Sequence, residues 1–178
     1  MKLYLVRHGE TDWNAKGILM GQTDIPLNDT GIQQAEALRN KIAARGLEFD
    51  AVYASPLQRT AKTAEIIAPD FPIIFHDALK ERGIGQLAGH PTSELFDNEI
   101  DFLDMGLNSG AYGVEPIRAF HARAMVFLLD LPKFHPRDAK ILIVTSNGVM
   151  KRLVSILTKT SPQDVPNFKN AEIYEYDY

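Results

Sequence analysis

The chain has 178 residues, 45% of them hydrophobic, with 23 Asp and Glu against 19 Lys and Arg, a formal net charge of −4 and no cysteine. That length suits one domain whose core needs neither disulfides nor structural metal, and the lack of thiols excludes a disulfide framework, a thiolate metal site and a cysteine nucleophile, in keeping with a cytoplasmic protein. Net acidity without a Lys/Arg run excludes an extended nucleic-acid or anionic-membrane surface, and no apolar run is long enough for a signal peptide or a membrane span, so the expected partner is a small molecule.

In chain order, apolar runs of strand length alternate with segments of helical period, the pattern of a mostly parallel sheet covered by helices on both faces. Strands are predicted at Lys2–Val6, Ala51–Ala54, Ile73–Phe75, Ile141–Val144 and Ala171–Tyr176. The second and fourth are continuously apolar, as central parallel strands are, and the last alternates as an edge does. The first ends in Arg7-His8-Gly9, where a glycine permits a tight turn and an imidazole projects from the sheet's carboxyl edge beside a guanidinium able to grip an anion. This is an arrangement for phosphoryl transfer.

Helices are predicted to begin near Asp29, Pro56, Thr92, Glu115 and Gly148. The first places Ala35, Leu38, Ile42 and Ala43 on one face and stops at Gly46. Ser55-Pro56 supplies a capping hydroxyl and a proline for the first helical position, which aims an anion-favouring helix end at the same sheet edge. Residues 1–178 thus make one three-layer αβα domain. His76, His90, His121 and His135 show no paired metal-ligand spacing.

Several separated pieces together resemble the histidine phosphatase superfamily, the phosphoglycerate-mutase-like phosphatases. They are Arg7-His8-Gly9-Glu10-Thr11 with Asn14; Gly21-Gln22-Thr23-Asp24-Ile25-Pro26-Leu27 followed by Gly31 and Gln34-Ala35; Ser55-Pro56-Leu57-Gln58-Arg59-Thr60-Ala61-Lys62-Thr63-Ala64; Leu79-Lys80-Glu81-Arg82-Gly83-Ile84-Gly85; and Asn170-Ala171. The resemblance implies a phosphoglycerate-mutase-like fold with a lid-like insertion around residues 83–114. It also implies that His8 is the nucleophile and becomes phosphohistidine, that Arg7 and Arg59 bind the phosphoryl oxygens, that Asn14 and the Thr23 region add hydrogen bonds, and that Glu81 protonates the leaving group. No cofactor and no metal are implied. A transferring phosphoryl group spreads charge over three oxygens, and fixed guanidiniums can stabilise it without a metal.

One place departs from the resemblance. In the family, the strand matching Ile141–Thr145 leads into a His-Gly pair whose histidine hydrogen-bonds the phosphoryl group; the matching pair here is Ser146-Asn147. The Ser146 hydroxyl and the Asn147 amide stand as neutral substitutes in the substrate site. Losing one charged donor to the transition state costs on the order of 3 kcal/mol, or ~10²-fold in rate. Alternatively, Ser146 merely caps the following helix. Met20 stands where the family often has glutamine, and Pro116 after Glu115 replaces a serine.

Between Arg82 and Arg118 the sequence holds no lysine or arginine, whereas Glu94, Asp97, Glu99, Asp101, Asp104 and Glu115 are acidic. A lid of that composition is poorly suited to a second phosphate or carboxylate, which favours a phosphatase for a less charged monoester over a phosphoglycerate mutase. Phe96, Phe102, Leu103, Met105 and Tyr112 could contact an organic moiety or pack in the core. The expectation is a metal-independent phosphomonoesterase acting through a phosphohistidine on a small phosphoester, slow or narrowly selective. The alternative is a catalytically impaired phosphoester-binding or regulatory pseudophosphatase.

Overall fold

Burial on both faces is what central strands demand, and three apolar runs meet it: β1 (Lys2–Arg7), β2 (Ala51–Ala54) and β4 (Lys140–Thr145) are buried at every interior position. The structure, a computed structural model, describes residues 1–93 and 111–178. The sheet order is β3-β2-β4-β1-β5. β3 (Ile73–Phe75) lies parallel to β2, and β2, β4 and β1 are mutually parallel, while β5 (Ile173–Asp177) pairs antiparallel with β1 at the other edge.

Helices cover both faces. On one, α2 (Asp29–Ala44) and α3 (Gln58–Ile67) bring Ala35, Leu38, Ala64 and Ile67 against Val6, Val52 and Val144. On the other, α4 (Ile117–Phe134) and α5 (Asn147–Thr158) pack Phe120, Phe127, Leu128, Met150 and Leu153 against Leu3, Leu5, Ile141 and Ile143. The result is the αβα sandwich. A single turn, α1 (Asp12–Ala15), follows β1, with Thr11 and Asn14 forming a reciprocal capping box.

Local details differ from expectation. The helix after β2 starts at Gln58, not at Pro56, and its N-cap, Leu57, has no capping side chain. The first turn is instead closed from outside, where Asp24 Oδ1 accepts the Gln58 N–H at 2.7 Å. A carboxylate of the chain itself therefore occupies the helix end that Ser55-Pro56 seemed to offer to an anion. Ala43 is exposed, and Gly31, Ala35, Leu38 and Ile42 form the buried stripe of α2. The helix assigned to Glu115 begins at Ile117, that assigned to Gly148 begins at Asn147, and the last strand begins at Ile173 because Ala171 adopts φ +47°. Of the predicted lid, Glu94, Phe96, Asp97, Glu99, Asp101, Phe102, Leu103, Asp104 and Met105 lie outside the described residues, as does most of the helix predicted from Thr92, and Tyr112 is half exposed.

Parallel strands end together at Arg7, Ala54 and Thr145, which gathers the loops that follow them. The loop after β1 is pressed onto the first turn of α2. A Cβ on Gly9 would run into the Gly31 carbonyl, and one on Gly31 into the Glu10 carbonyl, so this crossing of two backbones requires glycine on both sides.

Candidate active site

His8 stands one residue beyond β1, only 2% exposed. Its backbone is held on both sides, with the N–H donating to the Thr145 carbonyl at 2.9 Å and the carbonyl accepting from Asn170 Nδ2 at 2.8 Å. Nδ1 lies 2.7 Å from the Gly9 carbonyl oxygen. A carbonyl can only accept, so Nδ1 carries the proton and Nε2 is left with its lone pair. Burial pushes the imidazole well below the usual histidine value of 6.5, and Arg59 and Arg7 push the same way against the Gly9 hydrogen bond. The ring is therefore neutral at pH 7, as a nucleophile must be.

Both predicted anion-binding arginines are fixed by backbone carbonyls. Arg7 donates from Nη1 to the Phe168 carbonyl at 2.7 Å. Arg59, in the first turn of α3 and 1% exposed, donates from Nη1 to Thr23 at 2.9 Å and from Nη2 to Gly21 at 2.7 Å. Thr63, one turn later, ties this helix to the histidine loop: its hydroxyl donates to the Arg59 carbonyl at 2.7 Å and accepts the Gly9 N–H at 3.0 Å.

Glu81 holds its carboxyl group between two backbone donors, the Arg82 N–H at 2.8 Å and the Gly148 N–H at 2.9 Å. It thereby caps α5. Ser146 occupies the N-cap position but makes no capping bond. Its hydroxyl is buried and without a partner. Asn147 spends its side chain on the loop before β5, donating from Nδ2 to Asn167 Oδ1 at 3.0 Å and accepting the Phe168 N–H through Oδ1 at 2.9 Å.

Arg7, His8, Asn14, Arg59, Glu81, Ser146 and Asn147 all line one cavity of about 530 Å³. Seven of the eight residues picked out in the sequence thus meet in space. Thr23 does not line this wall; it is half-buried and contributes its carbonyl to Arg59, because the loop turns so that its main chain faces the guanidinium. Asn14 faces the cavity while its Oδ1 accepts from the Thr11 N–H and hydroxyl. Met20, buried, also lines the cavity, with its sulfur 3.3 Å from the Thr11 hydroxyl as an alternative acceptor to Asn14.

Among the described residues, the buried side-chain polar atoms without a hydrogen-bond partner are Arg7 Nε, Arg59 Nε, Ser146 Oγ and Arg152 Nε, and all four residues line this cavity. Buried donors are normally satisfied, so their clustering marks where a ligand's acceptors belong. No cluster of His, Asp and Glu suited to a metal ion occurs among the described residues.

The sequence matches the family model of the histidine phosphatase superfamily (branch 1) over residues 3–178. The chain belongs to that superfamily. Within it, the chain is 33% identical over 161 residues to the phosphatase PhoE of Bacillus subtilis strain 168, covering 89% of this chain and 78% of that one. It is 27% identical over 178 residues to a 2,3-bisphosphoglycerate-dependent phosphoglycerate mutase of Methylobacterium sp. strain 4-46, covering 94% and 85%. The crystal structure of a phosphoserine phosphatase from Entamoeba histolytica in complex with 3-phosphoglyceric acid superposes with a TM-score of 0.80 at 32% identity, covering 98% of this chain and 89% of that one. Phosphatases and mutases thus both stand among the relatives of this chain. No described helix is long and apolar enough to cross a membrane.

Two cationic residues that the motifs did not single out, Arg82 and Arg152, also line the cavity. Arg82 adjoins Glu81 and donates from Nε to the Glu115 carbonyl at 2.8 Å. Arg152 is four residues after Gly148, a spacing that returns it to the same face of α5, and this helical offset was the available signal. Glu115, given no chemistry from sequence, serves as a clamp: it accepts from Arg123 Nε at 2.7 Å, Arg123 Nη2 at 2.9 Å and the Gly83 N–H at 3.0 Å.

Proposed function

We propose that the protein is a metal-independent phosphomonoesterase that passes the phosphoryl group through His8. The observation that carries this reading is the Nδ1 contact to the Gly9 carbonyl, which leaves Nε2 as a neutral lone pair in the cavity that Arg7 and Arg59 also line. In the first step Nε2 forms a bond to phosphorus while the ester P–O bond breaks, and the leaving oxygen takes a proton from Glu81. In the second, water attacks phosphorus and gives a proton back to Glu81, and the P–N electron pair returns to Nε2. The Nε groups of Arg7 and Arg59, without protein acceptors, supply donors to the equatorial oxygens. The relatives' names support phosphoester chemistry as the class. Ser146, in place of the second histidine expected from the family, supplies one neutral hydroxyl where an imidazolium would supply charge, so turnover is slow.

That same hydroxyl favours one other reading. A protein that keeps the cavity and gives up efficient chemistry would bind phosphoesters as a regulatory pseudophosphatase. The test is phosphate release from a panel of phosphomonoesters with chelator present, for wild type, His8→Ala and Ser146→His. Release that vanishes in His8→Ala, with 32P trapped on the protein as acid-labile, base-stable phosphohistidine, supports the enzyme. Release unchanged in His8→Ala overturns it. An inert wild type that gains activity in Ser146→His identifies the binding protein.

A further inference from the structure

Gln34, in the second turn of α2, does not line the cavity, yet its side chain is tied to the histidine loop. Its Oε1 accepts the Glu10 N–H at 2.9 Å. That N–H belongs to the peptide unit whose other end is the Gly9 carbonyl, and the Gly9 oxygen lies 2.7 Å from His8 Nδ1. One peptide group therefore joins a helix side chain to the imidazole.

A peptide group is planar and trans, so its N–H and C=O point in opposite directions. Fixing one end aims the other. With Gln34 holding the N–H, the Gly9 carbonyl is kept on Nδ1. A hydrogen bond at the N–H also polarises the group and makes its oxygen a stronger acceptor, by roughly 10–30% in condensed-phase chains. Both effects favour the proton on Nδ1 and the lone pair on Nε2.

The loop cannot supply this rigidity by itself. Residue 9 must be glycine, since a Cβ there would run into the Gly31 carbonyl, and glycine restrains least the torsion that turns its own carbonyl. The neighbouring peptides are held elsewhere, the Gly9 N–H by Thr63 at 3.0 Å and the Thr11 N–H by Asn14 at 3.2 Å. Gln34 holds the one between them. Its base is firm: Asn28 caps α2 through the Gly31 N–H at 2.8 Å, and it also grips Glu10, donating from its backbone to the Glu10 carbonyl and from Nδ2 to Glu10 Oε1, each at 3.0 Å. A side chain set on a helix orients its partner more closely than one set on a loop.

We infer that Gln34 is a positioning residue for His8: by accepting the Glu10 N–H it fixes the peptide whose carbonyl takes the Nδ1 proton, and so holds the imidazole in the tautomer and orientation that leave Nε2 free. Its effect on rate rests on the phosphomonoesterase reading above, and its effect on the imidazole does not.

The test reads the ring itself, by NMR of protein labelled with [15N]histidine. Wild type should show a proton on Nδ1 of His8, assigned by its absence in His8→Ala. In Gln34→Met, similar in length but without an acceptor, that resonance should move upfield or be lost to exchange, and kcat should fall roughly tenfold with KM little changed. Gln34→Glu keeps an acceptor and charges it, so the resonance should move downfield while kcat stays within about threefold of wild type. An Nδ1 resonance unmoved in Gln34→Met overturns the inference even where kcat and Tm fall, because the glutamine then only props the loop. Should Gln34→Met fail to fold, Gln34→Glu decides, with a downfield shift in support and an unmoved resonance against. A wild-type proton on Nε2 instead overturns both this inference and attack by His8. A protein inert toward phosphomonoesters whose Nδ1 resonance responds to Gln34 in the expected way keeps the inference and loses the phosphatase reading.

Discussion

Glu81 Oε2 accepts the Gly148 N–H at 2.9 Å, so a carboxyl group from the segment after β3 closes the first turn of a helix that begins 66 positions later. The proposed proton donor is thus also a helix cap, and substitutions separate the two duties. Glu81→Gln keeps an acceptor for Gly148 but has no acidic proton. It should slow hydrolysis of alkyl phosphates by ~10²-fold or more and that of 4-nitrophenyl phosphate far less, since nitrophenolate leaves unaided. Glu81→Ala should in addition lower stability by about 1 kcal/mol. Equal slowing for both leaving groups would remove Glu81 from proton transfer.

Acid should weaken the fold through His8. Its pKa in the folded state lies well below the unfolded value of 6.5, so between the two values the unfolded chain binds the extra proton. The stability this contributes is complete above pH 6.5 and is lost as pH falls from there through the folded value. Urea unfolding of wild type should therefore show a steeper decline below pH 6.5 than that of His8→Gln. The acid limb of kcat/KM should likewise fall below pH 6.5. A limb above 6.5 would mean that His8 is not held neutral by its surroundings.

Arg59 cannot be exchanged for lysine. Its two Nη groups span the carbonyls of Gly21 and Thr23, a fork that one ammonium cannot reproduce. Arg59→Lys should reduce kcat by ~10²-fold while lowering Tm, and Arg59→Met should cost about 3 kcal/mol by leaving buried acceptors unmet. Stopped activity with unchanged Tm in both variants would show that the loop holds itself.

Gly31→Ala, outside the cavity lining, should impair catalysis. The added methyl group meets the Glu10 backbone, not a flexible side-chain tip, so the histidine loop must move. The expected loss is about 2 kcal/mol of stability, with kcat reduced and KM for inorganic phosphate competition altered. A wild-type Tm would mean that the loop yields freely.

The sequence showed the sheet well because burial on two faces leaves an unmistakable mark, a run of apolar residues such as Ile141–Val144. It also pointed to His8, Arg7, Arg59 and Glu81, whose motifs are local and which the fold brings to one cavity. What it concealed were arrangements made by distant partners. Ser55-Pro56 has the composition of a cap, but Asp24 reaches across to cap α3. Thr23 looked like a ligand contact, yet only its carbonyl is used, and main-chain carbonyls carry no residue signature. The helical offset from Gly148 marks the face on which Arg152 lies, but the lack of a protein acceptor for its Nε is revealed only by packing.

The pairing of β1 has a consequence for the order in which the molecule can be made. Its two neighbours are β4, in register from Lys2 with Lys140, and β5, where Val6 meets Ile173. The strand that leads into His8 precedes both of its partners in the chain, so it stays unpaired until most of the domain has emerged from the ribosome, and contacts this distant in sequence close slowly. A nascent chain therefore carries His8 on a loose thread while the domain is being made, and the cavity around it closes only when the late strands arrive.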